Sequence, residues 1–150
     1  MTGLDALAAA LRAEVAIIEK LIELGEAKRQ VMADADQIAA IAAQEQDILP
    51  KLEALEKERL MLTDVISGGK SWEETLADLG EDGLEIGDLA QQLAENVRLL
   101  KEINDLNQEL LQETLHFVQF SLNVLADDTP VTYDSSGQAP SGKSIFDRKV

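Results

Sequence analysis

Apolar residues recur along most of this chain at the spacing of a helix. Near the N-terminus Leu4, Leu7, Leu11, Val15, Ile18 and Ile22 are separated by 3, 4, 4, 3 and 4 positions, which places them on one helical face. Ile17, Leu21 and Leu24 widen that stripe, and Gly25 sits inside it at a modest cost in helix stability. Thr2 followed by Asp5 resembles a capping box, with Asp in place of the usual Glu or Gln. The pattern predicts a first helix over about 3–33.

A second stripe is more regular. Ile38, Ile41, Glu45, Ile48, Leu52, Leu55, Arg59, Leu62 and Ile66 step by 3 and 4 in strict alternation, a heptad seam with two charged members that fix register at some cost in stability. Extending the first stripe leads to positions near 32, 36 and 39, whereas the second begins at 38 and 41. One continuous helix absorbs such a phase jump poorly. Asp34 and Gln37 give a capping pair at the jump. The expectation is a tight turn near 33–36, an antiparallel hairpin, and a second helix over about 36–66. Pro50 within it removes a hydrogen bond and is expected to kink it.

Residues 67–87 hold a cluster of Gly, and from Ser71 to Asp88 there are seven acids and no base. This reads as an acidic linker with a short helix near 72–79, capped by Ser71 and Glu74 and ended by Gly80. Trp72 is expected to pin it to the bundle. A third helix over about 88–125, about 55 Å at 1.5 Å per residue, carries Leu89, Leu93, Val97, Leu100, Ile103, Leu106 and Leu110 or Leu111. Its stripe continues in Leu115, Val118, Leu122 and Leu125, with Asn104 and Asn107 beside it. From 127 to 150 Ser, Gly, Pro and Asp replace the periodicity, the composition of a flexible tail. The fold class that follows is all-α: an elongated antiparallel hairpin plus a long third helix in one unit over 1–126.

Composition agrees with helices packed side by side. Hydrophobic residues make up 45% of the chain and aromatic residues only 3%, too few aromatics for a typical sheet. A net charge of −16 repels a phosphate backbone and an anionic membrane surface, so neither nucleic acid nor membrane is an expected partner. The acidic run could steer a basic partner, but such runs are more often solvated loops. There is no Cys, and hence no thiol chemistry or cysteine metal site. The first residues lack the features of a signal peptide and no long apolar run spans a bilayer, so the chain is expected to be cytoplasmic.

Little in the chain points to catalysis. Gly137 to Ser144 spells GxxxxGK[ST], but a phosphate-binding loop needs a strand before it and a helix after it. No strand precedes this one and only six residues follow, so it reads as a chance match. His116 is the only histidine, so no His cluster exists. No catalytic residue, metal site or cofactor is expected.

The end of the third helix is where the aromatics gather. Phe117, Phe120 and Val124 form a second stripe beside that of Leu115, Val118, Leu122 and Leu125, roughly 150° away at 100° per residue. One stripe can pack on the hairpin. Three claimants remain for the other: a hairpin that wraps further round, a second copy of the chain, or another protein.

The helix ending LLQETLHFVQFSLNVL, followed by TYDSSG and a closing SIFDRKV, resembles the FlgN family of flagellar type III export chaperones. The resemblance extends over essentially the whole chain, and its specific part lies in Leu115 to Gly137 and the last seven residues. It implies a chaperone that holds amphipathic terminal segments of hook-associated (hook–filament junction) proteins in the cytoplasm and delivers them to the flagellar export gate. Carried onto this sequence, the client surface is Leu111, Leu115, Phe117, Val118, Phe120, Leu122 and Leu125, and the elements around Tyr133 and Phe146 correspond to docking on the export machinery. The competing expectation is a structural coiled-coil homodimer in which the Phe stripe is closed permanently.

Overall fold

The computed structural model describes residues 3–127. Four helices account for almost all of them: α1 (Gly3–Gln30), α2 (Ala35–Ser67), α3 (Trp72–Leu79) and α4 (Glu81–Asp127), with no strand among the described residues. The expected cap at Thr2, the GxxxxGK[ST] match and the tail with Tyr133 and Phe146 lie outside the described residues.

Local signals set most of the helix ends. Asp34 caps α2, its carboxylate accepting from the Gln37 backbone N–H at 3.1 Å and from Gln37 Nε2 at 2.8 Å. These bonds hold the Asp34 carboxyl below its ordinary range. Ser71 caps α3 by accepting from the Glu74 N–H, and Gly68, at φ 56°, closes α2 in the left-handed region that glycine enters without strain. α1 ends at Gln30, three residues before the expected bound, with Lys28 and Arg29 in its last turn, where cations suit the helix dipole. α2 continues unbroken through Pro50. Pro50 and Gln46, whose carbonyl loses its N–H partner, are both exposed, so water can satisfy the freed group.

The acidic segment differs from its expectation. α4 begins at Glu81 rather than near Asp88, so most of the expected linker is helix. Gly83 is the reason the sequence misleads. A Cβ built there would run into the Leu76 backbone carbonyl of α3. That glycine serves close approach of two helices rather than chain flexibility. Thr75 of α3 is buried as well.

α1 is the middle member of the bundle. α2 runs antiparallel to it, as the pairs Glu14–Arg59 and Lys28–Glu45 show. α4 runs parallel to it, from Arg12 paired with Glu85 to Gly25 against Ile103 and Asn107. The core is therefore centred on α1: Leu7, Leu11, Val15, Ile18 and Leu21 are buried together with Ile86 and Leu93 of α4. α2 and α4 each pack on α1 but hardly touch one another.

Both charged members of the α2 seam are ion-paired to α1. Arg59 Nε donates to Glu14 Oε1 at 2.7 Å, and Lys28 Nζ lies 2.9 Å from Glu45 Oε1. Burial pushes the Glu14 carboxyl above its ordinary value of 4.5, with nearby Glu56 adding to the rise, while the hydrogen bond and charge of Arg59 only partly oppose it. A raised acid holds its proton more tightly folded than unfolded. Its contribution to stability is thus complete below 4.5 and is lost as the pH rises through the folded value. Glu14→Gln, which resembles the protonated form, should melt at or above the wild-type temperature at pH 7. That gap should close as the pH falls below 4.5. Melting curves across this pH range check the sign.

A candidate protein-binding face on α4

The α1-facing seam of α4 is read from burial. Ile86, Leu93, Ile103 and Asn107 are buried and Leu89 and Leu100 pack against the core, at the 3- and 4-residue steps of a heptad. Asn107, placed beside the stripe by sequence, belongs to this seam. Its Nδ2 donates to the Gly25 carbonyl at 2.8 Å in a buried contact. A Cβ on Gly25 would come within 2.7 Å of the Ile103 Cγ2 methyl. The helices cross closely here, which is what the glycine inside α1 permits.

Val97 and Leu106, assigned by sequence to the packed stripe, are exposed. They sit to the sides of the true seam. Simple 3,4 counting cannot separate adjacent faces when Leu and Val occupy several of them.

Beyond the crossing, α1 stops. Gln30 lies five positions beyond Gly25, so α1 reaches about as far as Leu110 on α4. The remaining residues to Asp127 project on the order of 25 Å past it. Leu111 and Thr114 are half-buried. After them, every large apolar side chain up to Leu125 is exposed, from 37% for Leu115 to 69% for Phe117, with Phe120 at 65%.

This corrects one expectation: Leu115, Val118, Leu122 and Leu125 do not pack on the hairpin. They are exposed, like the Phe stripe, because α1 ends before them. The α1-facing seam, carried forward by heptads from Ile103 and Leu110, arrives at Phe117 and Val124. Phe117 is thus in register for α1 but lies beyond its end. The seven residues named from sequence lie on one overhanging segment of a single helix; Tyr133 and Phe146 fall outside the described residues.

The structure also holds a groove that sequence reading did not foresee. Where α2 and α4 diverge over α1, Trp72, Thr63 and Arg59 face Ala90, Ala94 and Val97 across a space of about 420 Å³ floored by Leu7 and Leu11. Trp72 pins α3 to the core as anticipated, and it also lines this groove. The only sequence signal was the pair of small residues Ala90 and Ala94 at helical spacing, which is common in any helix.

Among the described residues no group of three or more His, Asp and Glu side chains is placed to hold a metal ion, and no helix is long and apolar enough to cross a membrane. What the molecule offers is a helical bundle with an exposed apolar face on the last turns of α4. Fold and face together describe an all-α bundle with one apolar helix end open to solvent.

The chain belongs to the FlgN family of flagellar export chaperones: the family model described as FlgN protein matches residues 1–141. Comparisons with curated proteins and with solved structures find no match.

Proposed function

We propose that this protein binds the amphipathic terminal segments of hook-associated proteins in the cytoplasm, keeps them from assembling early, and delivers them to the flagellar type III export gate. The client surface is Leu111, Leu115, Phe117, Val118, Phe120, Leu122 and Leu125, with Tyr133 and Phe146 as docking elements for the export machinery. The observation that supports this is the overhang: a helix end whose apolar side chains face water past the last turn of α1. Each Phe or Leu buried by a partner is worth roughly 1.5–3 kcal/mol. Exposed together at helical spacing, they suit a client helix laid on α4 in the helix-in-groove manner. A client that is disordered when free spends part of that energy on folding, so the complex can still release it.

The test is calorimetry combined with light scattering on the full chain and a terminal segment of a hook-associated protein. A complex of one to one is expected. A stable homodimer that binds no segment would establish the structural coiled coil instead.

A further inference from the structure

We infer that residues 51–67, the second half of α2, form a hinged flap that opens from α1 as one unit while the rest of the bundle stays folded. The movement is a property of the bundle and holds whatever the overhang binds. It follows first from an imbalance in burial. α1 buries residues along its length from Leu7 to Gly25, whereas α2 buries only Ile38 and Glu45, both before Pro50. From 51 to 67 no residue is buried. Leu52, Leu62 and Ile66 are only partly buried against the core, and Leu60, Met61 and Val65 face water. The buried members of that core come from α1 and α4. α4 gives the segment little support, since α2 and α4 hardly touch and diverge around the groove at Trp72. A stretch of helix held from one side, with few buried apolar side chains, opens at a lower free energy than the core it rests on.

Both ends of the segment are built to bend. Pro50 lacks the N–H that the Gln46 carbonyl would accept, so one rung of the helical ladder is missing where the flap begins. At the other end Gly68 and Gly69 have φ of 56° and 89°. A Cβ on either glycine would meet nothing within 4 Å, so this joint is uncrowded. α3, beyond the joint, is held separately on α4 by the close approach of Gly83 to Leu76.

The latch is the ion pair of Arg59 with Glu14, 2.7 Å long, in which the Glu14 side chain is 4% exposed. Closed, the pair gains its mutual attraction but keeps a carboxylate out of water. Open, both charges are hydrated. These terms roughly cancel, so the latch sets the position of the flap without holding it tightly shut. The first half of α2 differs: there Ile38 is buried and Lys28 meets Glu45, whose side chain is 1% exposed. Opening carries Arg59 and Thr63 away from the groove and admits water to Leu7 and Leu11 on its floor.

Hydrogen–deuterium exchange on the full chain measures the opening of each segment. Hydrogen-bonded amides of 51–67 should exchange together, about tenfold or more faster than those of 35–49 and of α1, with a step at Pro50. Arg59→Met leaves Glu14 buried without its partner. It should speed exchange of the flap by about a further tenfold and leave α1 and 35–49 unchanged. Adding Glu14→Leu to Arg59→Met replaces the latch with an apolar contact and should slow the flap to the wild-type rate or below. Flap amides that exchange no faster than those of α1 overturn the inference. So does protection that rises smoothly inward from Ser67 with no step at Pro50, which is end fraying without a hinge. So does an Arg59→Met variant in which every helix exchanges faster by the same factor. If that variant does not fold, the wild-type profile decides by itself.

Discussion

Phe120→Asp should abolish client capture and leave the free protein's melting temperature unchanged. In the free chain Phe120 is 65% exposed, beyond the end of α1. Its loss costs the fold little, within about 0.5 kcal/mol for such a surface position. In the proposed complex a client would bury the ring. Removing it forfeits roughly 1.5–3 kcal/mol of apolar burial, and the new carboxylate must shed its water without a partner. Together these exceed about 3 kcal/mol, more than a hundredfold in Kd. Calorimetry with the terminal client segment, beside thermal melts followed by far-UV circular dichroism, reads both halves. A variant that melts several degrees lower would mean that the ring is enclosed by the protein itself or by a second copy, and the proposed site would be lost.

The second large effect concerns stability. Lys28→Ala should cost about 3 kcal/mol, although lysine is an ordinary surface residue. The Glu45 side chain is 1% exposed and that of Lys28 12%. Truncating the lysine leaves a buried carboxylate without its compensating ammonium, and the desolvation penalty is then unopposed. The pair itself is another matter. Attraction between buried charges roughly offsets what it costs to take them out of water. Lys28→Met with Glu45→Leu should therefore recover wild-type stability or exceed it. Denaturant unfolding of the two single variants and the double variant measures the cycle. If Lys28→Ala proves neutral, water reaches Glu45 and the α1–α2 contact is looser than the geometry implies.

The two predictions separate the molecule into parts with different tasks. Near the Lys28–Glu45 pair, α1 is clamped on one side to α2 and on the other to α4, where Asn107 holds the Gly25 carbonyl. This clamp lies just before the point where α4 leaves the bundle. If the overhang receives a client as proposed, a helix already formed and anchored at its base spares binding the cost of ordering that surface.

Much of this was legible in the residues. The capping pairs Asp34–Gln37 and Ser71–Glu74 marked helix starts correctly, since each requires only a side chain and a backbone N–H three residues away. The phase jump between the first two apolar stripes indicated the hairpin. The spacing of Phe and Leu over 115–125 marked two apolar stripes but left open what covers them, and the client surface was named from the family resemblance. Gly83 misled, because a glycine needed for close helix approach and a glycine in a loop look the same in a sequence. Leu115, Val118, Leu122 and Leu125 were read as a continuation of the packed stripe as well as part of the client surface for a related reason: apolar spacing names a face but not what covers it.

Helix content and the starts of α2 and α3 were thus set by the sequence itself, because 3- and 4-residue spacings and caps act within one or two turns. Tertiary structure alone decided that α1 runs out near Leu110 while α4 continues, that α2 and α4 part to leave a groove at Trp72, and which of several greasy faces meets α1. Those outcomes depend on the packing of residues some 80 positions apart, such as Gly25 against Asn107, and local spacing carries no information about such distances.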